Sequence, residues 1–151
     1  MSSAAPTFKA ALYTACQTLF PVPALVTYGH PGNASADDMI ALMNVTSGQE
    51  VGPMSPQRRR EETLTCDVVI SCWRGGVDQQ TVTEAAYALL ATLEDYLQDT
   101  GVTASTQITL GGSVRDARVT SHELAETEDP DDMALGRLAE ITATVTARVR
   151  I

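Results

Sequence analysis

Val77–Asp99 reads VDQQTVTEAAYALLATLEDYLQD. Val82, Ala85, Ala86, Leu89, Leu90, Leu93, Tyr96 and Leu97 recur at steps of three and four, so they share one stripe of a helix. Gln80, Thr83, Glu84, Thr92, Asp95 and Gln98 fall on the other side. Asp78 stands where an N-cap belongs, and Gly101 where a helix commonly stops. At about 1.5 Å per residue such a helix spans roughly 34 Å. The runs on both sides of it alternate like strands. The stretch therefore predicts one long helix laid across a sheet.

The run before it is the cleanest. Leu64, Cys66, Val68, Ile70 and Cys72 alternate with Thr63, Thr65, Asp67 and Ser71. Upstream, Phe8, Ala11, Leu12, Ala15, Cys16, Leu19 and Phe20 give a second helical stripe, so 6–20 reads as a helix ended by Pro21 and Pro23. Ala24–Tyr28 and Met39–Val45 read as short strands. Residues 46–57, rich in Gly, Pro and Ser, read as a loop leading to Arg58, Arg59 and Arg60, an extended 46–60 segment in all. Downstream, 102–109 allows a short strand, and Gly111–Gly112 turn the chain. Ser113–Leu124 reads as a strand in which Val114 and Val119 are imperfectly phased. An acidic loop follows around Pro130.

The last run is the longest. Ile141, Ala143, Val145, Ala147, Val149 and Ile151 alternate with Thr142, Thr144, Thr146, Arg148 and Arg150. A strand this long exceeds the usual five or six residues. It is expected to twist strongly or to pair with something outside the domain. The layout predicts an α+β two-layer sandwich: an antiparallel sheet with both helices packed on one face. One domain is expected over 1–151, with residues 1–5 mobile.

The bulk properties narrow the function. Net charge is −9, which repels nucleic acid and disfavours a DNA-binding module. No apolar run reaches the roughly 20 residues of a membrane span, so no membrane partner is expected. The first residues lack a basic start followed by an apolar core, so folding in the cytoplasm is expected. Three cysteines argue against a disulfide framework. They read as small buried apolar residues.

Catalytic and metal patterns are missing. His30 and His122 lie far apart in sequence, without HxH, HExxH or CxxC spacing. Gly75–Gly76 is no phosphate loop, because GxxxxGK[ST] is absent. The acidic run lacks the DxDxDG spacing of a calcium loop. No cofactor, metal or catalytic residue is expected, and the chain does not read as an enzyme.

What remains is charge of opposite sign. Arg58, Arg59 and Arg60 face, elsewhere in the chain, Glu126, Glu128, Asp129, Asp131 and Asp132. The arginines can be solvated beside Glu61 and Glu62. They can also meet the acidic group of a neighbouring subunit or partner. Head-to-tail contact between two different patches builds rings or filaments.

The order of these segments resembles the tail terminator (tail completion) proteins of long-tailed bacteriophages of actinobacterial hosts. The residues that carry the resemblance are FKAALYTACQTLFP (8–21), VTYGHPG (26–32), ADDMIALMNV (36–45), RRREETLTCDVVISCWRGG (58–76), TEAAYALLATLEDYL (83–97) and RVTSHELAETEDPDDMALGRLAEITATVTARVRI (118–151). The resemblance implies an α+β subunit of a homo-hexameric ring on the last ring of the tail tube. Such a ring stops tube growth, meets the head–tail connector or stopper protein, and lets double-stranded DNA pass through its lumen. The place implied is the virion tail or neck, after assembly in the host cytoplasm. A net negative lumen is expected. The runner-up is another neck component, a head-completion, stopper or connector protein. A tail-tube subunit, which would stack on itself, and a small cytoplasmic enzyme using His122 and Glu123 are further alternatives.

Overall fold

Burial along one strand fixes the layers. From Glu62 to Cys72 every second residue is buried, and those between are partly open. One side of the strand therefore faces a core and the other does not. The computed structural model describes residues 3–32, 36–51, 60–75, 78–98, 107, 109–126 and 136–151. In chain order the elements are α1 (Ala5–Leu19), β1 (Leu25–Thr27), β2 (Asp38–Val51), β3 (Arg60–Arg74), α2 (Gln79–Gln98), β4 (Asp116–Glu126) and β5 (Arg137–Arg150). The strands form one sheet in the order β1-β2-β3-β5-β4.

The fold is the expected α+β sandwich. β2, β3, β5 and β4 are antiparallel to their neighbours. The short β1 is not: it runs parallel to β2, with Leu25 beside Met39 and Thr27 beside Ala41. The sheet is therefore mixed. Phe8, Leu12 and Cys16 of α1 and Val82, Ala86, Leu90, Leu93 and Leu97 of α2 share one buried cluster with Leu64, Cys66, Val68, Ile70 and Cys72 of β3. β5 adds Ala139, Ile141, Ala143, Val145 and Ala147. Its alanines leave room for the leucines of α2, so the layers interdigitate. Each buried leucine contributes about 1.5–3 kcal/mol.

The long helix starts at Gln79 and ends at Gln98. Asp78 caps it, accepting a hydrogen bond from the Thr81 amide at 3.0 Å. Gly101 lies outside the described residues.

Three expectations are corrected. Residues 46–51 are strand, not loop: Thr46–Val51 pair with Arg60–Thr65 as one long ladder. Only 52–59 of the expected loop remain, outside the described residues. The over-long terminal strand finds its partner inside the domain, because β3 is equally long and pairs with it from Glu61–Arg150 to Arg74–Arg137. Ser3 and Ala4, expected mobile, are hydrogen-bonded to Glu62.

The expected Ser113–Leu124 strand is Asp116–Glu126, and a bulge at Thr120 explains its phase. Ala117 and Val119 face the helices before the bulge; His122, Leu124 and Glu126 do so after it. The turn before β4 runs through Leu110, Gly111 and Gly112, all with positive φ. Of the expected 102–109 strand, only Gln107 and Thr109 are described.

A candidate assembly surface

The site begins where sequence logic breaks. Glu62 sits in the buried phase of β3 and is wholly enclosed. Its carboxylate accepts four hydrogen bonds: from Ser3 Oγ at 2.6 Å, the Ala4 amide at 2.7 Å, Ser47 Oγ at 2.6 Å and Gln49 Nε2 at 3.1 Å. Helix α1 has no side-chain N-cap of its own. Glu62 takes that place from across the sheet, with its charge at the positive end of the helix dipole. Burial pushes this carboxyl upward, but the bonds from Ser3, Ser47, Ala4 and Gln49 outweigh it and hold it below the usual range. Glu62 is therefore no counter-charge for the arginines. The signal was available: it stands in phase with Leu64 and Cys66.

Among the described residues the opposite side of the sheet carries no helix. Thr46, Thr63, Thr65, Thr142, Thr144 and Thr146 lie on it. Its charges are Glu50, Glu61, Asp67, Asp116, Glu123 and Glu140 against Arg118, Arg148 and Arg150, so the described face is net negative. Arg148 grips Asp116 with two nitrogens, the closer at 2.7 Å. Glu61 lies 3.9 Å from Arg115.

The expected contact residues fall at the two ends of the strands. Arg60 opens β3 beside the C-terminal Ile151 and reaches Gln49 Oε1 at 3.4 Å. Glu126 closes β4 level with Cys72, and accepts a hydrogen bond from Thr83 Oγ1 of α2 at 2.7 Å. Arg60 and Cys72 are twelve residues apart along β3, about 40 Å. Arg60 and Glu126 therefore do not meet within one chain. Arg58, Arg59, Glu128, Asp129, Asp131 and Asp132 lie outside the described residues.

At the Cys72 end of the open face there is a shallow apolar depression of about 420 Å³, lined by Ala36, Asp37, Met39, Ser71, Trp73 and Leu138. Trp73 is 41% exposed. It rests against Gly136, where a Cβ would sit 2.6 Å from the ring and 2.7 Å from the Arg74 carbonyl oxygen. Sequence reading passed over Trp73, because it sat where a strand was expected to end. Arg74 beside it holds Asp38 at 2.7 Å.

The histidines are kept apart. His30 follows β1 at one edge of the sheet and accepts a hydrogen bond from the Gly32 amide at 3.0 Å. His122 lies on β4 at the other edge, its ring edge-on to Tyr87 with centroids 5.4 Å apart. All three thiols are buried, and burial pushes Cys16 and Cys72 up to about 12 and Cys66 to about 11. Among the described residues no helix is long and apolar enough to cross a membrane.

No protein-family model and no curated relative matches the chain. A solved structure does. The chain superposes on a protein of the virion of a native gene transfer agent particle over 100% of both chains, with a TM-score of 0.55 at 16% identity. The two share a fold along their whole length.

Proposed function

We propose that this chain is a structural, non-enzymatic subunit of a phage-type virion, and that it forms the terminator ring of a tail. The observation that carries the reading is the full-length likeness to a virion protein. The sequence resemblance to tail terminators supports the finer assignment. In this reading six copies close a ring on the last ring of the tail-tube protein, stop its growth and offer their far side to the connector or stopper. Double-stranded DNA crosses the lumen without sequence-specific binding. The helix-free face suits the lumen wall: its threonines are neutral and its net charge is negative, so it does not grip phosphates.

The positions of the charges refine this picture. Arg60 and Glu126 stand at opposite ends of the strands. A contact between Arg60 of one molecule and Glu126 of another needs a shift along the strands by the length of the sheet. We place Arg60 and Glu126 on the two axial sides of the ring, one toward the tube and one toward the connector.

The experiment is the assembly state, alone and with tail tubes, by light scattering and negative-stain imaging. One subunit is 16.1 kDa, so six copies give about 97 kDa. Rings that cap tube ends are the expected result. Long stacks without tubes would make the chain a tube subunit. Rings that bind connectors but never tubes would place it elsewhere in the neck. A monomer that ignores both would overturn the ring.

A further inference from the structure

Among the described residues two edges of this sheet are open, and they differ. β4 is the last strand in the order. β2 is covered on its outer side only where β1 pairs with Met39–Ala41. Among the described residues no strand covers the outer side of Leu42–Val51. Thr46–Glu50 and Thr120–Glu123 are all solvent-exposed. An uncovered edge invites pairing with another chain, and proteins usually blunt it with lysine, proline or short length. Neither edge here contains a lysine or a proline. The free part of β2 has ten residues and β4 has eleven.

Direction decides how they fit. β2, β3, β5 and β4 alternate strictly, so β2 and β4 run oppositely. A second copy in the same orientation, set beside the first, presents its β2 antiparallel to the first copy's β4. The alternation then continues across the joint. The helices of both copies stay on one side and the threonine-lined faces on the other.

We propose that copies of this chain join edge to edge, β4 of one against residues 42–51 of β2 in the next, so that the sheet runs unbroken around the ring. Because the two edges are different surfaces, the contact is head-to-tail, and it closes as a ring where the rotation between copies returns to the first. Backbone hydrogen bonds supply the joint, and side chains set its register. Arg118 lies level with Thr46, four residues from the level of Glu50. A stagger of four residues, of the kind closed barrels require, sets Arg118 opposite Glu50. This inference rests on the ring reading above.

Cysteine pairs test it. Directly opposed residues of an antiparallel pair bring their Cβ atoms to about 4.5–5.5 Å, close to disulfide reach. The native thiols are buried and stay silent. Variants Thr46→Cys, Gly48→Cys and Glu50→Cys on β2 are mixed with Arg118→Cys and Ser121→Cys on β4, and oxidised under conditions where rings are seen. At least one β2–β4 mixture should yield a covalent dimer that neither variant gives alone. The matching double variant should give a ladder ending at the ring size. Backbone exchange in the unmodified ring should slow about tenfold or more at both edges.

Rings without cross-links, and without protection at both edges, would overturn the edge pairing and leave the ring standing. Cross-links of the β4 variants alone, with protection at β4 only, would mean a two-fold pair and also overturn it. Absence of any assembly, alone or on tubes, would overturn the ring and this joint together.

Discussion

The two ends of β3 invert the usual rule in opposite ways. At one end the carboxylate of Glu62 is buried. At the other the indole of Trp73 is 41% exposed. The carboxylate is explained from within: Ser3, Ala4, Ser47 and Gln49 fill its hydrogen-bonding capacity, and it caps α1. The indole has Gly136 beneath it and solvent above, over an apolar depression. The contrast separates two kinds of anomaly. A buried charge with a full set of partners is part of the fold. An apolar group half-exposed at a strand end is used by the fold on one side only.

Breaking the closed end should cost the most. Glu62→Ala removes the shared acceptor of four donors and leaves a void, and should destabilise by about 2–4 kcal/mol. Glu62→Gln keeps the shape but loses the charge, and should cost less. Urea midpoints against pH distinguish charge from shape. The folded carboxyl is held below its ordinary value of 4.5, so its stabilisation is present above that pH and is lost as pH falls through the folded value. The gap between wild type and Glu62→Gln should therefore be wide at neutral pH and narrow in acid. A constant gap would show that packing, not charge, holds α1.

The open end yields less. Gly136→Ala drives a methyl group into the Trp73 ring and the Arg74 carbonyl. The ring can swing, the carbonyl cannot, so the cost should be about 1–3 kcal/mol. Tryptophan fluorescence should shift with it, because Trp73 is the chain's single tryptophan. An unmoved spectrum would mean that the strand, not the indole, absorbs the strain. Asp78→Ala removes an ordinary cap from α2 and should lower the thermal midpoint slightly. Glu62 does the same task for α1 from across the sheet, so its loss should exceed that of Asp78.

These cases show what the sequence disclosed and why. Periodicity disclosed both helices and the core phases of β3 and β5, because burial on one side imposes it. It also disclosed Asp78, since that cap is local. It did not disclose the Glu62 cap, whose partners are up to 59 residues away. It placed a loop at 46–57, because Gly48 and Ser47 read as turn residues; pairing with β3 overrides that local preference. It took β5 for the strand in need of a partner. The length of β3 shows instead that the need sits on β2, whose outer side is mostly uncovered. The bulge at Thr120 hid behind the uneven phase of Val119 and Leu124. The assembly surface was legible only as charge clusters, because no local pattern states which edge of a sheet is free.

The smallest effect on the fold should come from the arginines near the closed end. Arg60 is exposed and, among the described residues, reaches Gln49 at 3.4 Å, so replacing Arg58, Arg59 and Arg60 with Glu should change stability by no more than about 0.5 kcal/mol. The effect on assembly should be larger, and its direction is informative. If copies join through β2 and β4, Arg60 lies along the strand axis from that joint, and ring mass by light scattering should not change. Capping of tubes should fall, most visibly at low salt, where exposed charges act over about 30 Å rather than about 8 Å. If the rings dissolve instead, the arginines hold copies side by side. The strands would then lie around the ring rather than along its axis.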